Sequence, residues 1–430
     1  MKTKILLAQQ ITKNRKKIWE WYDETAKKAP PPFYCSIDLR DSGFKVTPVD
    51  SNLYPAGFNN ICPEDLRTAS LVFRKQIEEF CLGIGRPTPK QILILPESHT
   101  QNLYYAENLY YLLQIITNAG FEARVGWYGE LPGGFQGPVH LKSSTGKEIP
   151  AYPIRVEGGV ASADGFVPDV ILLNNDFSAG YPKPLDAVTQ PILPSHVLGW
   201  HTRKKSEHFK FYNQLAAEFA SIAEIDPWFI QVDTQEVSPV DFNNNIGVEE
   251  VAQAVDGMLA RIRQNYESHK VKHEPFVFVK NNAGTYGMGI MVVRGEHGAD
   301  EIRHMNRRTK NKMSVGKNHM QIGSVAIQEG VPTATLVNRM AAEPVIYLFR
   351  SELIGGFLRT NAERGSEENL NAPGMVFKKL CMSDLRKPEE EDETPASTPV
   401  SKEPVLELVY GSIAKISALA AGMELKHHVH

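Results

Sequence analysis

The stretch FVFVKNNAGTYGMGIMVV, residues 276–293, decides the fold. Residues 276–279 are an apolar run with the length and composition of a buried strand, and residues 290–293 have the character of a second strand. Lys280 directly follows the first run. The loop contains small residues whose backbone N–H groups can surround an anion: Asn281, Asn282, Gly284, Thr285, Gly287 and Gly289, with Tyr286 among them.

A lysine at a strand end, opposite a flexible glycine loop, is the geometry that holds a nucleoside triphosphate between two sheets. The order strand, loop, strand differs from a Walker loop and from GxGxxG, because both of those lead into a helix. The alternative for this stretch is a glycine-rich β-hairpin with an exposed lysine. The stretch alone favours neither of the two, so the rest of the chain has to decide.

The overall composition is that of a globular protein. With 430 residues, 42% of them hydrophobic and 23% charged, the chain is long enough for two or three domains. Its net charge of −3 argues against a general nucleic-acid binder or a protein of anionic membranes. The N-terminal apolar patch is too short for a signal peptide, and we expect no segment to span a membrane. These features predict a cytoplasmic protein without nucleic-acid or membrane partners.

The cysteine pattern predicts free thiols. Cys35, Cys62, Cys81 and Cys381 have neither CxxC spacing nor the density of a disulfide scaffold. We therefore expect all four to be reduced, as is usual in the cytosol.

Residues 33–60 alternate like a strand, turn at residues 41–43 and resume as a strand. The segment is rich in groups that could hold an amino-acid zwitterion, with cations for its carboxylate, acids for its ammonium and amides for either. These are Asp38, Arg40, Lys45, Asp50, Asn52, Asn59 and Asn60. The alternative is a surface hairpin with solvated charges.

Helices and strands alternate in the N-terminal part of the chain. We predict one helix over residues 1–28, a helix over 64–82, a strand over 91–96, a helix over 103–118, and strands over 121–126 and 169–173. This alternation is typical of an open α/β layer.

Three further motifs follow in the second half of the chain. Lys204 and Lys205 stand at the start of a helix and could face a phosphate, although basic runs are most often solvated. A strand over 324–328 is followed by Glu329, which could accept a hydrogen bond from a ribose hydroxyl. The backbone near Gln328 and Val331 could then bind the edge of the adenine ring. The alternative is an ordinary turn at the end of a strand. A polar loop then offers carboxylate and amide oxygens that suit Mg²⁺, from Glu367, Glu368, Asn369 and Asn371.

The order of these elements resembles the ATP-grasp superfamily of carboxylate–amine ligases. More narrowly, YCSIDLRDSGFKVTPVDSNLYPAGFNN (residues 34–60) and FVKNNAGTYGMGIM (residues 278–291) look like the bacterial ATP-grasp type of glutamate–cysteine ligase. The resemblance implies a mixed α/β (α+β) ATP-grasp fold. Its expected parts are an N-terminal open α/β domain (1–198), an ATP-grasp region (199–383, with a central lid at about 225–295 and a C-terminal part at 296–383), an acidic disordered linker (384–404) and a C-terminal helix (405–430).

The implied reaction joins L-glutamate to L-cysteine with ATP and Mg²⁺, through γ-glutamyl phosphate, in the first step of glutathione synthesis. Lys280 and Lys204 or Lys205 would bind phosphates, the loop with residues 284–289 would cover them, and Glu329 would bind the ribose. Arg359 would act on the transferring phosphoryl group, and the Glu/Asn loop would hold the metal. The hairpin of residues 33–60 would bind the amino acid.

Two other functions are left open by the residues themselves. One is an ATP-grasp ligase with a different amine acceptor, and the other is a non-catalytic protein that binds nucleotides or amino acids. The sequence also leaves open whether the chain forms a homo-oligomer.

Overall fold

The computed structural model describes residues 2–97, 102–128, 137–177, 180–283, 289–315, 321–387 and 404–429. Within these ranges the helices are α1 (Lys2–Lys13), α2 (Arg15–Lys28), α3 (Leu66–Gly83), α4 (Leu103–Asn118), α5 (Lys205–Ala223), α6 (Val248–Ser268), α7 (Gly298–Arg303), α8 (Arg307–Ser314), α9 (Met382–Leu385) and α10 (Val405–Val429).

The strands of the described residues form three separate sheets. They are β1 (Tyr34–Asp41), β2 (Val46–Asn52), β3 (Gln91–Pro96), β4 (Glu122–Trp127), β5 (Val139–Lys142), β6 (Glu148–Glu157), β7 (Val160–Ala163), β8 (Val170–Asn174), β9 (Ile192–Leu193), β10 (Thr234–Val237), β11 (Phe276–Asn281), β12 (Ile290–Arg294), β13 (Val325–Glu329), β14 (Leu336–Val337), β15 (Met340–Phe349), β16 (Glu352–Asn361) and β17 (Met375–Leu380).

The first sheet has the order β5-β6-β4-β3-β8-β9, with β7 paired to β6. Strands β6, β4, β3, β8 and β9 run parallel. Residues of β3 and β8 belong to hydrophobic clusters on both faces of the sheet, which explains why these strands read as continuous apolar runs. The predicted open α/β layer is therefore confirmed. At the start of α4, Asn102 caps the helix by accepting bonds from two backbone N–H groups.

The second sheet is antiparallel, with the order β17-β16-β15-β1-β2 and β14 paired to β15. Its strands β1 and β2 come from the hairpin of residues 33–60, whereas the others come from the last third of the chain. The hairpin therefore does not belong to the parallel sheet that follows it in sequence. One sheet draws its strands from both sides of the boundary that we expected at residue 198.

The third sheet, with the order β10-β13-β11-β12, is antiparallel and contains the stretch that opened the sequence analysis. Strands β11 and β12 pair with each other, so the predicted order of strand, loop and strand is confirmed. Helices α6 and α7 cover one face of this sheet with apolar side chains such as Val255, Met258 and Ile302. The opposite face is left to meet the second sheet.

Two predictions about the chain termini need correction. The single helix expected over residues 1–28 is two helices, and the break lies at Asn14, whose side-chain amide donates to the carbonyl of Ala223 at 3.2 Å. The first two residues of the linker expected over 384–404, Asp384 and Leu385, belong instead to α9. Residues 388–403, the rest of that expected linker, lie outside the described residues.

Helix α10 is long and apolar enough to cross a membrane, although we expected no such segment from the sequence. Most of it is buried inside the protein, where it packs against α5, α1 and the second sheet. Its apolar surface is therefore that of a core helix.

The expectation of four free thiols is wrong for two of the cysteines. Cys62 and Cys381 form a disulfide with a Cα–Cα distance of 5.4 Å, although 319 residues separate them in sequence. Cys35 and Cys81 are free and buried. The pairing escaped the sequence analysis because the two cysteines meet only through the packing of β17 against the segment after β2.

Candidate active site

A small cavity of about 50 Å³ lies where the second and third sheets face each other. The second sheet lines it with charged side chains, the third sheet contributes the end of β11, and α5 contributes its first residue. The lining residues are Asp38, Arg40, Val49, Asp50, Lys205, Phe278, Lys280, Asn281, Ile290, Glu343, Arg359, Asn369 and Asn371. Two predicted groups, the strand lysine and part of the polar hairpin, thus meet in one place.

Lys280 reaches into this cavity from β11 and is buried. Its Nζ donates to Oε1 of Gln328 at 2.6 Å and to the carbonyl oxygen of Val49 at 3.1 Å. Burial lowers the pKa of Lys280 to about 8, against a partial opposing effect of Asp50. The alternative of an exposed hairpin lysine is therefore excluded.

Two carboxylates face the cavity from adjacent strands. Asp38 on β1 pairs directly with Asp50 on β2, so both side chains project from the same face of the sheet. Asp38 accepts a bond from Arg359 at 2.6 Å, and Asp50 accepts one from Lys205 at 2.5 Å. Burial raises the pKa of Asp38, whereas Lys205 and Lys280 outweigh burial and hold the pKa of Asp50 at about 2.

Glu343 on β15 is a buried cavity residue that the sequence analysis missed. It accepts hydrogen bonds from Nε of Arg40 at 2.8 Å and from Nη1 of Arg359 at 2.7 Å. Burial opposes ionisation, but the two arginines lower its pKa below the usual value. The sequence did contain a signal, since Glu343 is the lone acid in an otherwise apolar strand, but the importance of this acid depends on Arg359, which lies directly opposite on β16.

Arg359 contacts its two carboxylate partners through a single nitrogen. Nη1 bonds both Asp38 and Glu343, yet Nε is buried without a hydrogen-bond partner among the described residues. A buried donor without a partner costs free energy, of order 1–3 kcal/mol. The arginine therefore has an unused donor in a cavity wall, as expected of a group that binds an anion.

Arg40 has a different role from the one that we predicted. Besides Glu343, it donates to the backbone carbonyls of Ser366 at 2.8 Å and Glu368 at 2.7 Å. All three of its side-chain nitrogens already have partners, and the side chain is buried. Arg40 consequently fixes the loop after β16 beside the cavity.

That loop divides the four predicted metal ligands. Asn369 and Asn371 line the cavity. Glu367 instead pairs with Arg294 at 2.8 Å and His273 at 3.4 Å, and Glu368 accepts the backbone N–H of Gly365 at 2.7 Å. The structure thus brings the two amides into the cavity, whereas the acids that line it are Asp38, Asp50 and Glu343.

Two other predicted ligands neutralise each other. Lys45 and Glu329 form a buried ion pair with Nζ–O distances of 2.6 and 2.7 Å, and Lys45 also lies over the ring of Trp228. Neither residue lines the cavity. The pair joins the tip of the β1–β2 hairpin to β13, so it connects the second and third sheets.

The remaining predicted residues are placed as follows. Lys204 is exposed and pairs with Glu236 at 2.9 Å, so of the two candidate lysines only Lys205 lines the cavity. Asn52, Asn59 and Asn60 make local contacts outside the cavity lining, and Val331 is buried. Gln328 holds Lys280. Gly284, Thr285, Tyr286 and Gly287 lie outside the described residues.

Position 289, at the end of the glycine loop, requires a glycine. Its φ of +64° is strained for other residues, and an added Cβ would lie 2.7 Å from Cδ1 of Ile322. Its carbonyl accepts the N–H of Asn281 at 2.9 Å, which continues the β11–β12 ladder to the edge of the cavity.

Comparisons with known proteins give a family. A family model described as glutamate–cysteine ligase (GshA) matches residues 8–425. A solved structure of a putative gamma-glutamylcysteine synthetase from Methylobacillus flagellatus is 38% identical, with a TM-score of 0.84 over 98% of this chain and 96% of that chain.

Two other comparisons add little. A glutathione synthetase-like effector from Globodera pallida is 12% identical over 88% of this chain and 80% of that chain, and its TM-score of 0.37 is too low to support an argument. No curated protein matches. The family model and the Methylobacillus structure both extend over nearly the whole chain, and we conclude that it belongs to the glutamate–cysteine ligase family.

Proposed function

We propose that the protein joins the γ-carboxyl group of L-glutamate to the amino group of L-cysteine at the expense of ATP. The observation that carries the proposal is the cavity between two antiparallel sheets, where Lys205, Lys280 and Arg359 face Asp38 and Asp50. Cations of this kind suit a polyphosphate, and the acids suit the metal ion that accompanies it. The two facing sheets and the glycine loop support an ATP-grasp arrangement.

The chemistry explains why ATP is needed. A carboxylate is a poor electrophile, and its oxygen is a poor leaving group. When a γ-carboxylate oxygen of glutamate attacks the γ-phosphorus of ATP, ADP departs and γ-glutamyl phosphate forms. The cysteine nitrogen then attacks the acyl carbon, the C–O bond to phosphate breaks, and the nitrogen loses a proton.

The cavity residues supply positioning and charge for these steps. Lys280 and Lys205 would bind oxygens of the α- and β-phosphates, since both line the cavity. Arg359, with its spare Nε, would bind the phosphoryl group as negative charge moves through it. The glycine loop, whose residues 284–288 are not described, would cover the site and exclude water.

For Mg²⁺ we assign different ligands from those that the sequence suggested. Asp38 and Asp50 lie opposite each other across one strand pair, and Asn369 and Asn371 line the same cavity. Carboxylate and amide oxygens are hard donors of the kind that Mg²⁺ prefers, so the residues fit the ion. The bound ion would polarise phosphate oxygens and reduce their repulsion of the incoming carboxylate.

The Mg²⁺ dependence of the rate should show whether the metal ligands are the cavity acids Asp38 and Asp50 or the loop acid Glu367. In Asp38→Asn and Asp50→Asn we expect the Mg²⁺ concentration for half-maximal rate to rise by about tenfold or more. Glu367→Gln is the matched control: it should leave the Mg²⁺ requirement unchanged, because Glu367 pairs with Arg294 and His273 instead. If Glu367→Gln instead had a raised Mg²⁺ requirement while Asp38→Asn and Asp50→Asn had the wild-type one, the metal ligands would be those of the loop of residues 367–371.

The pKa of Lys280 predicts how nucleotide affinity varies with pH. In the free enzyme this lysine loses its proton as the pH rises through about 8, and a neutral amine attracts phosphate weakly. The Kd of a non-hydrolysable ATP analogue, measured by calorimetry from pH 6.5 to 9, should therefore increase above about pH 8. Lys280→Met should lack this step. An identical pH profile in both proteins would contradict the assignment.

One assay tests the proposed reaction itself. The protein is incubated with ATP, Mg²⁺ and L-glutamate, the amine is varied, and phosphate and peptide products are measured. We expect phosphate release that depends on L-cysteine, with γ-glutamylcysteine as product. Release with other amines but not with cysteine would indicate a different acceptor, and no release with any amine would indicate a non-catalytic binding protein.

A further inference from the structure

Glu424 lies near the end of helix α10, and its side chain is completely buried. Its carboxylate accepts hydrogen bonds from Arg203 Nε at 2.8 Å and Arg203 Nη2 at 3.1 Å, and it contacts Nδ1 of His208. Burial alone would raise the pKa of Glu424, but Arg203 and His208 lower it to about 2. Glu424 is thus an ionised carboxylate in the protein core.

Arg203 connects Glu424 to residues at the cavity. Its Nη1 donates to the carbonyl oxygen of Ser51 at 2.5 Å, and Ser51 directly follows Asp50 on β2. Arg203 also stands two residues before Lys205, whose Nζ donates to Asp50 at 2.5 Å. Asp50 is therefore next to Ser51, which Glu424 holds through Arg203, and Lys205 is two residues from Arg203 itself.

The same segment is tied to the third sheet. The backbone N–H of Lys205 donates to the carbonyl of Asn282 at 2.8 Å, and that of Ser206 donates to its side-chain oxygen at 2.9 Å. Lys205 and Arg203 both lie against the ring of Trp200. The start of α5 is thus fixed at the junction of the second sheet, the third sheet and α10.

Stability alone does not account for an ion pair at this position. Replacing a buried ion pair by packed apolar residues is often neutral or stabilising, and α10 already buries a long apolar surface. What the charges provide is a fixed direction and distance for the Arg203 guanidinium, since a bidentate contact permits only one geometry.

We propose that Glu424 is a positioning residue of the active site. Through Arg203 it holds Lys205 and Asp50 in the arrangement that receives the nucleotide and its metal ion. This inference rests on the proposed function, in which Lys205 binds a phosphate of ATP. The C-terminal helix, although it lines no part of the cavity, is then necessary for nucleotide binding.

Steady-state kinetics of Glu424→Gln test the proposal. We expect the KM for ATP to rise about tenfold while kcat changes little, because the lost interaction aids binding of ground state and transition state alike. Glu407→Gln is the matched control, since Glu407 lies on the same helix and pairs with exposed Arg386 at 3.2 Å. That variant should have the wild-type KM and kcat.

A double-mutant cycle shows whether Glu424 acts through Lys205. In a Lys205→Ala background, Glu424→Gln should raise the KM for ATP by a clearly smaller factor than in the wild-type background, because only its effect on Asp50 remains; fully additive effects would overturn the proposal. If Glu424→Gln does not fold, Arg203→Lys replaces it, because lysine retains the charge but loses the bidentate contact. An active wild-type enzyme whose KM for ATP is unchanged in either variant refutes the positioning role alone. A wild-type protein that forms no peptide refutes the proposed reaction instead.

Discussion

Replacing Lys280 by methionine should lower kcat/KM for ATP by about 10³-fold, because a buried cation that would bind the phosphates is lost. The free energy of unfolding at pH 7 should change by no more than about 1 kcal/mol, the net value of one hydrogen bond. Initial rates at varied ATP and urea unfolding curves measure the two quantities.

The stability expectation follows from the direction of the pKa shift. Because burial lowers the pKa of Lys280 to about 8, the charged amine is disfavoured in the folded protein. This cost is fully present below pH 8 and declines as the pH rises from about 8 towards the ordinary lysine value. Methionine removes the cost at pH 7, although Gln328 and Val49 then lack their donor.

Lys204→Met is the control for this experiment. Lys204 is an exposed neighbour of the site that pairs with Glu236, so its loss should leave kcat/KM nearly unchanged. Near-normal turnover in a folded Lys280→Met variant would contradict the role of Lys280 in binding phosphate.

Glu343→Gln should destabilise the protein and also inactivate it. The substitution leaves Arg40 and Arg359 buried without the carboxylate that both of them contact, and breaking such a network costs about 3–5 kcal/mol. Activity should fall as well, since Arg359 and the loop that Arg40 holds would no longer be fixed beside the cavity.

Chemical unfolding and steady-state rates check this prediction. Glu249→Gln is the control, because Glu249 pairs with Arg303 at the surface and should contribute at most about 1 kcal/mol. If Glu343→Gln were no less stable than Glu249→Gln, the buried network would not have the importance that we give it.

Local features of the fold could be read from the sequence. The predicted bounds of β3 and α4 are confirmed. The presence of β11 and β12 on either side of the glycine loop is confirmed too, although both strands extend one or two residues beyond the predicted apolar runs. These elements have strong local signals, namely apolar runs of strand length, helical periodicity and a glycine loop. Lys280 could be predicted as a site residue for the same reason, since it directly follows the apolar run of residues 276–279.

The partners of charged residues could not be read in this way. Lys45 looked free for a substrate and Glu329 for a ribose, but 284 residues separate the two and only the folded chain brings them together. Glu343 was missed because its value depends on Arg40, which is 303 residues away. The sequence shows which side chains are charged. Whether such a side chain is free to bind a ligand depends on the ion pairs that it makes in the folded protein.

The second sheet also constrains how the protein can be made in the cell. Strands β1 and β2 are synthesised early, yet β1 pairs with β15, which the ribosome reaches roughly 300 residues later. Until then the hairpin has an unpaired edge, which is a template for association with other chains. The cavity residues of β1 and β2 can therefore meet those of β15 and β16 only after most of the chain has been synthesised.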